Sequence, residues 1–332
     1  MGTIQSLING FKAATDPVTP ATVPVTPPAL GTDSPMQFVT LDDLAVPPGG
    51  FSAVYAFGDS LSDAGNVSLL TLRNVPVGGV YSGGRFSNGN VWVQDLAQNL
   101  GLPAPKPSLA GGTDYAYGGA QTGATSVHAA NPSDLPAQLG QFVASVPNPS
   151  PTALYTVWAG SNDILDIANS AQTPEQQQAS VQQAVNNEVG FIDGLIVHGA
   201  KNIVVLGVSD LSQTPYEQAR PTSSAASSSL AQAYNTDLGT ALHQIMASGA
   251  ASIDYINTYA MLDAASANPS AYGFTNVTQP VWTGNLTDSN SGTLAASGAA
   301  QNGYLYFDNL HPTAAGHALL AAGVTQSLAA TA

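Results

Sequence analysis

The stretch Val54-Tyr-Ala-Phe-Gly-Asp-Ser-Leu-Ser-Asp-Ala-Gly-Asn66 decides how the rest of the chain is read. It begins inside a short apolar run, Ser52–Phe57, of the length of a buried strand. Gly58-Asp59-Ser60 then breaks the run and turns it toward a helix. A serine at such a turn is exposed, and its N–H lies with the helix N-terminus, where partial positive charge favours a developing oxyanion. The same residues also read as an ordinary serine cap, so this stretch alone does not identify a nucleophile.

Outward from that turn the chain alternates strand and helix patterns. Asn90 reads as the cap of a helix that buries Val91, Val93, Leu96 and Leu100 and stops at Gly101 and Pro103. Leu154–Ala159 is a second buried-strand pattern. Val181, Val185, Val189, Ile192 and Ile196 recur at helical spacing and predict a helix from about Pro174 to His198. Lys201–Gly207 and Ala251–Ile256 read as strands, Ser228–Ser248 and 313–330 as helices, and 264–303 as loop-rich. Strands alternating with helices imply βαβ units and a mostly parallel sheet covered on both faces, with sites at the carboxyl ends of the strands.

Residues 1–50 have a different texture. Eight prolines fall between Pro17 and Pro48, interleaved with Thr and Val, which reads as an extended arm or linker ahead of a domain at 51–332. Only 8% of the 332 residues are charged, and 6 Lys+Arg against 21 Asp+Glu give a net charge of -15. That balance argues against a nucleic-acid partner and against attraction to anionic membranes, and it suits an uncharged small molecule. No stretch approaches the roughly 18 apolar residues of a membrane span. No signal peptide is apparent, although scarce Lys and Arg with abundant small polar residues point to a secreted or cell-surface protein. With no cysteine, a disulfide, a thiolate metal site and a Cys nucleophile are all excluded.

Three further blocks carry chemistry. In Asp308-Asn-Leu-His-Pro312, an Asp and a His three apart can bond within one turn, the carboxylate fixing the imidazole tautomer. In Gly160-Ser-Asn-Asp163, the Asn162 amide can aim at a site beyond the strand end. In Tyr117-Gly-Gly-Ala120, a glycine can bring a bare N–H close to a substrate. Each has a bland turn reading in isolation. The five histidines are scattered, with no metal-binding pair, and His317 reads as structural. Trp92 and Trp158 read as core, whereas Trp282 sits in the loop-rich region and is the tryptophan to test for substrate contact. Arg85 reads as structural in preference to substrate-binding.

In order and combination, these blocks resemble the GDSL or SGNH hydrolases. The matching segments are Val54–Asn66, Asp114–Ala120, Val157–Asp163 and Phe307–Thr313, joined by Gly84-Arg-Phe-Ser-Asn-Gly89 and Ala271–Val277, which look like the lipase, phospholipase and thermolabile-hemolysin branch. The resemblance covers about 51–330. It implies a flavodoxin-like, three-layer α/β/α sandwich on a five-stranded, mostly parallel sheet. It implies a serine esterase or lipase with Ser60 as nucleophile, His311 as base and Asp308 orienting it. The implied oxyanion hole is the Ser60 and Gly119 N–H groups plus the Asn162 side chain, and neither a cofactor nor a metal is implied. A phospholipase or acyltransferase on the same site is the alternative, and a binding module without activity is the weaker one. Two departures stand out. Asp114 replaces the family's common Asn, which affects turn bonding, and the cysteine many relatives carry near Pro280 is missing, which removes a loop disulfide.

Overall fold

The computed structural model describes residues 50–330, so all but the last residue of the arm expected over 1–50 lies outside the described residues. The elements, in chain order, are β1 (Val54–Gly58), α1 (Asn66–Leu70), α2 (Trp92–Asn99), α3 (Leu135–Ser145), β2 (Leu154–Trp158), α4 (Ser161–Ala168), α5 (Pro174–His198), β3 (Asn202–Leu206), α6 (Pro215–Gln218), α7 (Pro221–Ala247), β4 (Ser252–Ile256), α8 (Thr258–Ala267) and α9 (Ala314–Ala330). The strands pair in parallel in the order β1-β2-β3-β4, with Phe57, Val157, Val205 and Tyr255 in one row of the register.

Side chains alternate across the pleat, and that alternation builds the three layers. Phe57, Tyr155, Val157, Ile203, Val205 and Ile253 face a core completed by α3, α4, α5 and α7. Val54, Ala56, Leu154, Val204, Leu206 and Ile256 face the opposite core, completed by α2, α8 and α9. Fully burying each of these large side chains stabilises the fold by about 1.5–3 kcal/mol. No helix among the described residues is long and apolar enough to cross a membrane.

The sheet has four strands among the described residues, not the five expected. The open edge of β1 is lined instead by residues 113–117. Ala56 N–H donates to Thr113 O at 3.0 Å, Tyr115 N–H to Ala56 O at 2.7 Å, and Tyr117 N–H to Gly58 O at 3.1 Å. This segment forms isolated bridges only at Asp114, with Ala56 on one side and Pro107 on the other, and Asp114 turns its own carboxylate onto Ala64 N–H (2.6 Å) and Ala116 N–H (3.0 Å). The Asp at that position therefore shapes the local turn, as expected for it.

Helix α5 runs over the predicted Pro174–His198, with the Thr173 side chain accepting from Gln176 N–H and Gly199 closing it in the left-handed conformation. Helix α7 begins seven residues before its predicted start, at Pro221. Its first turns are rich in Ser and Thr, whose modest helix propensity hides a segment held by packing on the sheet. Helix α2 begins after Val91 rather than Asn90, and its Trp92 N–H donates to His317 Nδ1 at 3.3 Å. His317 is fully buried, and burial pushes its pKa down to about 3, so the neutral ring serves as a structural acceptor.

Glu188 on α5 is fully buried, accepts from Tyr234 OH, and leaves Oε1 without a hydrogen-bond partner among the described residues. Burial pushes its pKa up to about 8. A folded-state pKa above the unfolded one means stability that is fully present below the ordinary value of 4.5 and is lost as pH rises through about 8. Thermal unfolding should accordingly show a Tm that falls between pH 5 and 8, with a shallower fall in Glu188→Gln; parallel curves would contradict this reading.

Candidate active site

The chain leaves β1 at Gly58, where a Cβ would lie 2.0 Å from Trp158 O and where φ is +135°, so only glycine fits. Gln138, fully buried, fixes this point twice: its Oε1 accepts from Gly58 N–H at 2.9 Å and its Nε2 donates to Gly58 O at 2.8 Å. The expected helix does not follow directly. Ser62 N–H and Asp63 N–H both donate to Asp59 O at 3.1 Å, which closes one isolated turn, and α1 starts only at Asn66. A helix dipole at Ser60 is therefore not part of this site. Asp59 braces the turn by accepting from Leu61 N–H at 2.9 Å, and burial pushes its carboxyl up to about 7.

Ser60, Asp308 and His311, 251 residues apart at the extremes, meet in one buried cluster. His311 Nε2 lies 2.9 Å from Ser60 Oγ. His311 Nδ1 lies 2.9 and 2.8 Å from the two Asp308 carboxylate oxygens. With Nδ1–H donating to Asp308, Nε2 is left as the acceptor facing the serine. Burial acts to raise the Asp308 carboxyl. The electrostatic interaction with His311 and the hydrogen bonds from its ring and from the His311 and Leu310 N–H groups together outweigh burial, and the carboxyl is held below the usual carboxylate range. The loop itself is fixed by Phe307 N–H donating to His311 O at 2.7 Å.

The segment Gly84–Gly89 clasps this loop. Arg85 Nε donates to Gly89 O at 2.6 Å and holds the segment's own shape, in keeping with a structural role. The Phe86 ring sits 5.2 Å from the His311 ring. Ser87 Oγ donates to Pro312 O at 2.9 Å, and Asn88 Oδ1 accepts from Ala314 N–H at 2.7 Å.

The three donors expected for an oxyanion lie on separate segments of the chain. Ser60 N–H and Gly119 N–H have no hydrogen-bond partner among the described residues, whereas Gly118 N–H donates to Asp63 Oδ2 at 2.9 Å. Tyr117 O accepts from Ala120 N–H at 3.1 Å, and Gly119 takes φ +74° at the third position of that turn, the left-handed value that favours glycine. Asn162, in the first turn of α4, donates one Nδ2 hydrogen to Ala120 O at 2.9 Å. An amide nitrogen carries two hydrogens, so this bond orients the side chain and leaves the second free.

Asp63, Gln138 and Tyr81 belong to the site although sequence reasoning did not single them out. Asp63 gathers the Gly65, Asn66, Val67 and Gly118 N–H groups and so ties the Ser60 loop to the Gly119 turn. Tyr81 OH donates to Asp308 Oδ2 at 2.7 Å, with its ring packed edge-on against Phe307. Burial and the Asp308 charge push the phenol pKa well up, so it remains a donor. Hydrogen bonds to a charged group are worth about 1.5–3 kcal/mol, so Tyr81→Phe should lower kcat by about tenfold with KM little changed. Unchanged turnover would remove Tyr81 from the positioning of Asp308. Trp282, by contrast, lies outside this cluster: it is 2% exposed, donates to Asn285 O and is packed with Val67 and Phe307.

A family model for the GDSL-like lipase/acylhydrolase matches residues 54–324. The chain belongs to that family. The family's description is that of lipases and acylhydrolases. Among curated relatives of this family member, a phosphatidylcholine-sterol acyltransferase from Aeromonas hydrophila is 29% identical, over 53% of this chain and 50% of its own length. The GDSL esterase/lipase At1g29660 from Arabidopsis thaliana is 28% identical over 80% of this chain and 85% of its own. The match thus spans about half of the first and most of the second. A relative at 28% identity over 49% of the chain bears the name inactive GDSL esterase/lipase-like protein 25. Membership alone therefore does not make a chain active. The carbohydrate acetylesterase Est24 from Sinorhizobium meliloti superposes with a TM-score of 0.47 at 13% identity, over 84% of this chain and 98% of that one, a likeness too loose to transfer a substrate.

Proposed function

We propose that this GDSL-family chain hydrolyses carboxylic esters by acyl transfer through Ser60. The observation that carries the reading is the unbroken relay from Ser60 Oγ to His311 Nε2 and from His311 Nδ1 to the Asp308 carboxylate. Ser60 Oγ attacks the ester carbonyl carbon while His311 takes its proton. The C–O bond to the alcohol then breaks, and His311 returns the proton to the departing oxygen. Water repeats the sequence on the acyl-enzyme and releases the acid.

The oxyanion would sit among Ser60 N–H, Gly119 N–H and the second Asn162 Nδ2 hydrogen. The uncommitted state of the two backbone donors supports this assignment, and the bond from Gly118 to Asp63 favours Gly119 over its neighbour. Removing one oxyanion donor costs about 10²–10³ in kcat. Asn162→Ala should show that loss with little change in KM in a p-nitrophenyl ester assay, and near-normal turnover would remove Asn162 from the hole.

Acyl transfer to an alcohol is the second reading, favoured by the name of the Aeromonas relative. The same acyl-enzyme serves both reactions, and the acceptor decides between them. Measuring alcoholysis against hydrolysis with an added alcohol separates the two.

A further inference from the structure

We infer that Asp163, acting through Thr122, is a positioning residue that holds Gly119 N–H and the Asn162 side chain in register with each other. This rests on the ester-hydrolase reading above and deepens it, since these are two of the donors assigned there to the oxyanion.

Asn162 rides on α4, whose start is held firmly. Gly160 takes φ +94°, and a Cβ there would lie 2.7 Å from the Tyr234 ring. Gly119 lies in a loop, and the three residues after it are joined to α4 one by one. Ala120 O accepts from Asn162 Nδ2 at 2.9 Å, and Gln121 Nε2 donates to Asp166 Oδ2 at 2.5 Å. Thr122 then donates twice to Asp163, from its N–H to Oδ2 at 3.1 Å and from Oγ1 to Oδ1 at 2.8 Å. Thr122 and Asp163 are both fully buried. Asp163 does not border the cavity beside Ser60, whereas Ser161, Asn162 and Leu165 do, so it acts through other groups and not on the reacting atoms.

The bond from Asn162 to Ala120 O fixes one distance and by itself leaves the Gly119 turn free to pivot about it. The paired bonds from Thr122 hold the same segment at two further points and remove that freedom. Both carboxylate oxygens are acceptors here, which suits the ionised form, whereas an amide at 163 would turn its NH₂ toward one of the Thr122 donors. Burial pushes the Asp163 carboxyl up to about 7, against the pull of the two Thr122 hydrogen bonds. An acid in a first helical turn suits the helix dipole from an exposed position, so that role does not call for a costly buried charge. Register matters at an oxyanion because a misplacement of about 1 Å can cost about a hundredfold in rate.

The test is kcat and KM for a p-nitrophenyl ester at about pH 8.5, above the Asp163 pKa of about 7. Expressing kcat per active site titrated with a fluorophosphonate cancels any loss of folded enzyme. Thr122→Val keeps the N–H and the shape but loses the hydroxyl, and it should lower kcat by about tenfold with KM changed by less than about twofold. Asp163→Asn should lower kcat at least as far, and Thr122→Ser should stay within about twofold of the unsubstituted chain. In an Asn162→Ala background, Thr122→Val should cost less than about threefold, because no register is left to hold. An unchanged kcat in Thr122→Val or Asp163→Asn, a loss shared by Thr122→Ser, or equal losses with and without Asn162 would overturn the positioning role while leaving the hydrolase reading intact. No turnover by the unsubstituted chain would overturn both.

Discussion

Replacing Ser60 with alanine should lower kcat by about 10⁶ while leaving the folded structure and its Tm unchanged. The size follows from what the hydroxyl does. Without Oγ no acyl-enzyme forms, and His311 has no proton to take. Removing a nucleophile that acts as one unit with its base costs as much as removing the unit, on the order of 10⁶. The Ser60 backbone N–H, the Gly119 N–H and Asn162 all survive the substitution, so a residual acceleration of roughly 10³–10⁴ over water should persist. Stability should hold because the Ser60 side chain bonds only His311 among the described residues, whereas the turn itself is braced by Asp59 and Gln138. A large drop in Tm would mean that the hydroxyl is structural.

Asp308→Asn should cost about 10⁴ in kcat, less than the loss of Ser60. The carboxylate accepts from His311 Nδ1, from Tyr81 OH and from two backbone N–H groups. An amide cannot accept on both sides. If its NH₂ faces the imidazole, the ring takes the tautomer with hydrogen on Nε2 and cannot accept the Ser60 proton. If its NH₂ faces Tyr81, it breaks that hydrogen bond instead. Because Asp308 is held below the usual carboxylate range, it stays ionised as pH falls through the mildly acidic region. Loss of activity there should therefore persist with the same midpoint in Tyr81→Phe, and steady-state pH profiles of kcat check this.

The layered fold was legible because its signals are local. Helix α5 carries its own start and stop, Thr173-Pro174 and Gly199, and the buried strands are mostly apolar runs. The four sequence blocks that carry the candidate site residues were legible through their order along the chain. What was not legible is the bracing between them, because it is long-range. Gln138 reaches Gly58 across 80 residues, Asp63 reaches Gly118 across 55, and Tyr81 reaches Asp308 across 227. No periodicity encodes such pairs. The serine turn misled for the opposite reason. Gly-Asp-Ser has the composition of a helix start, but Asp63 takes the N–H groups of Gly65, Asn66 and Val67 and delays the helix to Asn66. The Asp308–His311 loop also departs from the rule that sites follow strands, since Leu305–Phe307 belongs to no strand of the sheet. Phe86, Ser87 and Asn88 hold that loop in place, which gives the Gly84–Gly89 segment its physical purpose.

Labelling with a fluorophosphonate probe, followed by peptide mapping, tests the nucleophile most directly, because the probe reports covalent attack without any assumption about the substrate. One adduct is expected, on Ser60, absent in Ser60→Ala and formed far more slowly in Asp308→Asn. An unlabelled protein, or an adduct on any other serine, would contradict it.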